Sequence, residues 1–369
     1  MNSIGLYIHI PFCASKCPYC DFYSLPGGGE AMDAYLGAVV RAVETHPFGP
    51  LRADTVYFGG GTPSLLGAPR LTALLEAIAR HIPPADDSEI TLEANPGTVS
   101  PGALKALREG GFNRVSFGVQ SLAEEELRAL GRRHTAAEAE SAILAAHAAG
   151  FAHISADLML GIPRQTRQSL ARSIERLCAL PVDHVSAYLL KVEEGTPLAA
   201  SPLLRLCPGE DDAARLYLDC VEALERAGLR QYEISSFARP GAQARHNLKY
   251  WLCAPYLGIG PAAHSYLNGS RFCFPRDLDA FTGAQEPFSL VREDGEGGGF
   301  EEYAMLRLRL REGLDLAEAA AVFGADTGAI RQRALPLEKR GLLRIEGDAV
   351  SLTPEGFLLS NAVTGALLF

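Results

Sequence analysis

Three of the chain's eight cysteines, Cys13, Cys17 and Cys20, crowd into eight residues with CxxxCxxC spacing. They sit in Tyr7-Ile8-His9-Ile10-Pro11-Phe12-Cys13-Ala14-Ser15-Lys16-Cys17-Pro18-Tyr19-Cys20, just after an apolar run that reads as a strand. Thiolates are soft ligands suited to iron–sulfur clusters or to zinc. Three of them leave one iron of a cubane cluster without a protein ligand, and an open position is what chemistry needs and a structural site avoids. The alternative is a structural zinc site with His9 as fourth ligand, although zinc sites usually pair their cysteines across two knuckles. The remaining five cysteines are scattered. Cys178 and Cys220 lie in helical patterns among apolar neighbours and read as small buried hydrophobes.

The elements that must position this loop are legible as alternating short apolar runs and helical patterns, the signature of βα units. Candidate strands are Leu6–Ile10, Thr55–Phe58, Glu89–Glu93, Arg114–Gly118, His153–Leu160 and His184–Leu189. Candidate helices between and after them are Asp33–Thr45, Arg70–His81, Pro101–Glu109, Ala136–Ala149 and Thr166–Leu180. Ser100 before Pro101 is an N-cap followed by proline at the first helical position, and Gly110–Gly111 end that helix. The expected fold class is α/β: a partial (β/α)6 TIM-like barrel with a small C-terminal α+β winged-helix-like domain. In such barrels chemistry gathers at the carboxyl ends of the strands. The clustered cysteines, Gly59–Gly61, Glu93 and Gln120 all fall there. After a further helix, Asp211–Ala227, and the polar segment Arg245–Trp251, the glycine- and acid-rich Asp294–Gly299 reads as a linker. The expected domains are therefore residues 1–290 and 300–369. The second would hold helices over Glu301–Arg311 and Thr327–Arg340, a hairpin of Leu343–Glu346 with Ala349–Leu352, and a last helix from about Pro354.

In its position CxxxCxxC resembles the signature of the radical S-adenosylmethionine (SAM) superfamily, and the flanking YIHIPFC and CPYCDFYS resemble its coproporphyrinogen dehydrogenase-like branch. That resemblance implies a [4Fe–4S] cluster on Cys13, Cys17 and Cys20, whose open iron takes SAM and whose electron yields a 5′-deoxyadenosyl radical. Phe58-Gly59-Gly60-Gly61-Thr62-Pro63-Ser64 resembles the family's GGGTP loop, with Gly60, Gly61 and Thr62 expected to offer bare N–H donors to the polar end of SAM. Glu93 matches the acid that the family directs at SAM. GVQS over Gly118–Ser121, GRRH over Gly131–His134 and DLMLGIP over Asp157–Pro163 resemble further family segments. By that resemblance Tyr7, Tyr19, Gln120, Arg132 and Asp157 complete the SAM cavity; the bland alternative pairs Arg132 with Asp157 structurally.

The dehydrogenase of haem synthesis carries a further cysteine two residues after the third cluster ligand, where this chain has Phe22. Arg245-His246-Asn247-Leu248-Lys249-Tyr250-Trp251 instead resembles the HNxxYW motif of the HemW haem-chaperone family, and the GIGPAAHSY run from Gly258 to Tyr266 fits the same branch. The resemblance implies haem as a third bound group, with His246 as axial ligand and Tyr250 and Trp251, the single tryptophan, against the porphyrin face. The alternative is that His246 and Asn247 tie down a loop while Trp251 fills core. His264 is either structural or cavity-lining; His46, His81, His147, His153 and His184 show no partner spacing and read as incidental. The rival function is an oxygen-independent coproporphyrinogen III dehydrogenase.

A formal charge of −10 argues against a nucleic-acid surface, which needs clustered Lys and Arg. From Val291 onward nine Lys and Arg face thirteen Asp and Glu, so the winged-helix-like tail is an expected docking surface rather than a DNA reader. No run approaches a membrane span, which needs about 18 apolar residues, and nothing resembles a signal peptide. The expectation is a cytoplasmic protein. The resemblance adds haem-accepting apoproteins as partners and peripheral membrane contact during delivery to respiratory enzymes.

Overall fold

The computed structural model describes residues 2–369, so position 1 of the expected first domain lies outside the described residues. In chain order the first layer comprises β1 (Asn2–Ile10), α1 (Gly29–Thr45), β2 (Leu51–Gly60), α2 (Ala68–His81), β3 (Pro84–Ala94), α3 (Pro101–Glu109), β4 (Arg114–Gln120), α4 (Glu124–Ala129), α5 (Ala136–Ala148), β5 (His153–Leu160), α6 (Arg167–Cys178) and β6 (His184–Leu189). There follow α7 (Glu210–Arg226), β7 (Arg230–Gln231), β8 (Ser236–Ala238), α8 (Arg245–Trp251), β9 (Tyr256–Ile259), β10 (His264–Leu267), β11 (Ser270–Cys273), α9 (Leu278–Gly283) and β12 (Arg292–Glu296). Among the described residues these twelve strands form one sheet in the order 12-11-10-9-1-2-3-4-5-6-8-7. Strands β1 to β6 are neighbours in sequence order and all parallel, which is the expected six-fold βα half-barrel. The sheet stays open: β9 extends it beyond β1, and the antiparallel β8 caps β6.

Period-two alternation sorts the two faces of these strands. On the outer face Ile4, Leu6, Ile8 and Ile10 of β1, Val56 and Phe58 of β2, Leu92 of β3 and Val115 and Phe117 of β4 are fully buried. They share one core with Tyr35, Val39, Leu71, Ile78, Leu104 and Ile143 of the helices. The inner face is polar: Tyr7 pairs with Tyr57, Thr91 with Arg114, Glu93 with Ser116, Ser155 with His184 and Asp157 with Ser186 across neighbouring strands. Helix α3 begins as expected, with Ser100 Oγ accepting the Ala103 N–H at 3.2 Å before Pro101.

The C-terminal unit holds α10 (Phe300–Arg307), β13 (Leu314–Asp315), α11 (Leu316–Phe323), α12 (Thr327–Lys339), β14 (Leu343–Glu346), β15 (Ala349–Leu352), α13 (Pro354–Leu358) and α14 (Ser360–Leu368). A three-stranded sheet of order 13-15-14 beside α11 and α12 gives the expected winged-helix arrangement. It is tied to the barrel by backbone bonds from Ile234 N–H to Arg309 O, 2.9 Å, and from Arg311 N–H to Tyr232 O, 3.0 Å. One expectation needs correction. The first half of the supposed linker Asp294–Gly299 belongs to β12 (Arg292–Glu296), an exposed edge strand paired with β11. Its charged and glycine residues read as loop because an edge strand has no buried face to leave a pattern.

A buried ion pair closes the lumen floor. Arg114, 1% exposed, lies 3.4 Å from Glu89 and donates twice to Ala242 O at 3.0 Å. Glu89 also accepts the backbone N–H groups of Arg245 and His246, at 3.2 and 3.0 Å, and so anchors the start of α8. Removing one partner leaves a buried charge uncompensated, so Glu89→Ala is expected to cost about 3–5 kcal/mol in urea denaturation. A loss below 1 kcal/mol would show that the pair behaves as a solvated one.

Candidate functional site

The three cysteines lie half-buried on the loop that leaves β1. The loop is closed at its base by Cys13 N–H to Leu25 O, 3.0 Å, and Leu25 N–H to Pro11 O, 2.8 Å. Cys13 Sγ lies 3.4 Å from Thr62 Oγ1, and Arg132 donates an N–H to Cys17 Sγ at 3.7 Å. A guanidinium thus stands beside a sulfur that must be anionic to bind iron. His9 is unavailable as a fourth zinc ligand, because its ring nitrogens meet the Tyr7 hydroxyl and the Tyr23 carbonyl oxygen, both at 3.0 Å.

The glycines after β2 are needed for a different reason from the one expected. A Cβ on Gly61 would sit 2.4 Å from the Phe12 carbonyl oxygen, and Gly60 has φ +112° with His9 and Ile10 pressed against it. The N–H groups are already spent: Gly60 on Glu93 Oε2 at 3.1 Å, Gly61 on Ile10 O at 2.8 Å, and Thr62 on Phe12 O at 2.7 Å. They are not bare donors. They bind the end of β2 to the cysteine loop, and Gly60, Gly61 and Thr62 still face the cavity that the loop roofs.

That cavity measures about 350 Å³ and brings together Cys13, Cys17, Cys20, Tyr19, Gly60, Gly61, Thr62, Glu93, Gln120, Arg132 and Asp157. Glu93 accepts the Tyr57 hydroxyl at 2.7 Å, and burial, with the nearby Asp157 charge, pushes its pKa up to about 7. Asp157 accepts from Ser116 at 3.2 Å, and burial raises its pKa to about 6. Arg132 does not take Asp157 as its partner: it reaches Tyr19 at 3.4 Å and donates at 2.5 Å to both Asn95 Oδ1 and Gly118 O. Gln120 holds φ +66° at a register shift in β4, a conformation costing about 1–3 kcal/mol in a non-glycine residue, and it points its amide inward.

The donor set fits a cluster and SAM. Three thiols share one loop, and the Thr91 hydroxyl and the Arg132 Nε, both on the cavity wall, are buried without a partner among the described residues. Carboxylates and a guanidinium together suit a zwitterionic amino acid head beside a sulfonium cation.

Two expected residues stand elsewhere. Tyr7 lines a second cavity on the far side of β1, its hydroxyl held by His9. His246 is wholly buried: Nδ1 lies 2.8 Å from Thr55 Oγ1 and Nε2 lies 2.8 Å from the Tyr250 hydroxyl. Burial, with Lys249 adding, drives its pKa down to about 3. An axial ligand needs a free nitrogen facing open space, and both nitrogens of His246 are engaged; Asn247 lines the first cavity. Trp251 lies under the Arg309 guanidinium at 5.6 Å instead of in either cavity wall. His184, expected to be incidental, lines the first cavity and bridges Ser155 and Tyr232 at 2.6 and 2.8 Å. Tyr57, Thr91, Asn95, Ser116, Ser186 and Tyr188 were also missed. The signal was present as polar residues at alternate strand positions, which a wholly apolar barrel core would not show.

Residues 7–177 match the Radical SAM superfamily and residues 300–359 the HemN C-terminal domain. The chain is 38% identical over 375 residues to Heme chaperone HemW of Mycobacterium tuberculosis, spanning 99% of this chain and 94% of the relative. It is 36% identical over 373 residues to Heme chaperone HemW of Bacillus subtilis, spanning 98% of each. Among solved structures, coproporphyrinogen III oxidase (HemN) from Escherichia coli, described as a radical SAM enzyme, superposes with a TM-score of 0.85. It covers 99% of this chain and 90% of its own at 22% identity, a likeness of fold.

Glu93 is held protonated more strongly folded than unfolded, so its ionisation destabilises the fold as pH rises from about 4.5 to about 7. Relative to the native chain, Glu93→Gln should gain stability across that window and hold the gain above it, read as melting temperature against pH; a pH-independent difference would contradict the burial argument. His246→Ala orphans Thr55 and Tyr250, with an expected loss of about 2–4 kcal/mol and no change in the Soret band of added haem. A displaced Soret band in the folded variant would restore His246 as ligand.

Proposed function

The chain belongs to the HemW branch of the radical SAM superfamily, and from that premise we propose that it is a haem chaperone, binding a [4Fe–4S] cluster, SAM and haem and passing haem to acceptor apoproteins. The observation that carries this reading is the full-length similarity to proteins named Heme chaperone HemW. Cys13, Cys17 and Cys20 would hold the cluster, and Glu93, Gln120, Arg132 and Asp157 would orient SAM beside it, with Tyr19 and the Gly60–Thr62 turn closing the cavity. Bound there, the cluster and SAM would supply one-electron chemistry. The protein's own part is to place charge: the Arg132 guanidinium stands beside the Cys17 sulfur, and Glu93, its pKa raised to about 7 by burial, holds the Tyr57 hydroxyl and the Gly60 N–H.

Phe22 favours the chaperone over the dehydrogenase. It stands on the cavity wall, 67% exposed, where the dehydrogenase pattern has a cysteine, and a phenyl ring offers no thiol. A reducing, cytoplasmic setting suits eight cysteines that are all free. No helix among the described residues is long and apolar enough to cross a membrane; peripheral contact during delivery to respiratory enzymes is what the family resemblance implies.

The test is anaerobic reconstitution, followed by haem titration and an assay on coproporphyrinogen III. The expected outcome is iron and sulfide bound in the native protein, most of that iron lost in Cys17→Ser, haem bound tightly, and no decarboxylated product. Turnover of the porphyrinogen without tight haem binding would move the chain to the dehydrogenase class.

A further inference from the structure

The second cavity, about 550 Å³, lies on the other side of β1 from the SAM cavity, and Phe22 belongs to the walls of both. Its size falls in the range of small-molecule sites, about 300–1,000 Å³. Nothing in the radical SAM reading uses it.

Its chemistry is specific. Tyr7, Phe22, Tyr23, Tyr250, Tyr256 and Phe274 make an aromatic lining, with Tyr250 and Tyr256 edge-to-face at 4.6 Å. Such walls suit a large flat π-system. At one side stands a row of three side chains set by strand register: His264 on β10 opposite Cys273 on β11, and Cys273 opposite Arg292 on β12. Directly paired residues share a face of the sheet, so the three point together, and all three line the cavity. Arg276 joins them from the loop after β11, over the Tyr23 ring at 5.8 Å and donating to Asp21 O at 3.0 Å. Neither Arg276 nor Arg292 forms a salt bridge among the described residues. Two guanidiniums without a carboxylate partner among the described residues, at the rim of an aromatic slot, call for a planar ligand that carries carboxylates.

The cavity has two histidines, and they differ in what they can offer. His9 has both ring nitrogens engaged. His264 is 62% exposed at the side chain, with the Asp294 carboxylate 3.5 Å from Nδ1. The Asp294 carboxylate is near enough to engage Nδ1, which leaves Nε2 as the open nitrogen of this ring. Of the two histidines, His264 is the one whose Nε2 has no hydrogen-bond partner among the described residues, and an imidazole nitrogen suits an iron.

We propose that haem binds in this second cavity, with its iron on His264 Nε2, its propionates on Arg276 and Arg292, and its ring against Tyr250 and Phe22. The inference rests on the haem-chaperone reading and gives it a site distinct from His246. The imidazole binds through its lone pair, so loading needs no redox step. The exposure of His264 and Phe22 leaves one side of the cargo open to solvent, as transfer to an acceptor requires.

The test titrates full-length native protein, His264→Ala and Arg276→Ala/Arg292→Ala with iron protoporphyrin IX, followed by absorbance. Circular dichroism and cluster loading, measured alongside, are expected to be unchanged because these side chains are exposed. His264→Ala should shift the Soret band and weaken binding about tenfold or more, and His264→Gly should regain the native spectrum with free imidazole. The double arginine variant should keep the native spectrum while losing affinity, and that loss should vanish with the dimethyl ester of the porphyrin. If the native protein takes up no haem, the chaperone reading fails and this site with it. If the native protein binds haem and His264→Ala matches it in spectrum and affinity, the chaperone reading stands and the site is wrong. Restoration by imidazole is an outcome that a merely structural role for His264 would not produce.

Discussion

The site depends on one close contact between neighbouring strand ends. Where β1 and β2 leave the sheet side by side, the N–H groups of Gly61 and Thr62 bind Ile10 O and Phe12 O, and no side chain fits between. That contact fixes where the cysteine loop starts. It also sets Thr62 against Cys13 and, through the Gly60 N–H, sets Glu93 at the cavity wall. A flexible loop could carry three thiols, but holding them over a preformed cavity requires a rigid base, which these backbone bonds supply.

The second constraint is electrostatic. A closed eight-stranded barrel fills its interior with branched apolar side chains. This six-stranded arc instead presents Glu89, Glu93, Asp157, Arg114, His184 and a series of hydroxyls toward its lumen. At the floor the charges neutralise one another, Arg114 against Glu89. At the upper strand ends Glu93 and Asp157 have no such partner, and burial lifts both above the usual carboxylate range. The floor is thus structural and the upper layer is left able to respond to a ligand.

Helix α8 divides the two cavities. Asn247 faces the first and Tyr250 the second, while His246 between them stacks on Tyr57 and binds Thr55 and Tyr250. Its N-terminus is pinned by Glu89, and Lys249 pairs with Asp54 at 2.8 Å. The HNxxYW-like segment therefore acts as a wall held in place from both ends, with His246 and Tyr250 engaged in holding it and Asn247 left facing the first cavity.

What the sequence determined by itself was whatever is encoded locally or by period. Strand and helix alternation, the Ser100 cap, the hairpin at Gly347–Asp348 and the cysteine spacing are short-range patterns, and each appears where the residues put it. Most of the first cavity was legible for the same reason, since parallel strands in sequence order place their carboxyl ends together. The tertiary structure alone decided which groups remain free. His246 and His9 are ordinary histidines in sequence, yet each has one nitrogen taken by a neighbour in the chain, Tyr250 and Tyr7, and the other by a distant partner, Thr55 and Tyr23. Arg132 finds Asn95 and Gly118 in place of Asp157, and the acidic linker becomes an edge strand only because β11 offers it a free backbone edge. At least one hydrogen bond of each histidine comes from a residue distant in the chain, so a one-dimensional pattern can name a candidate ligand but cannot show that its lone pair is unoccupied.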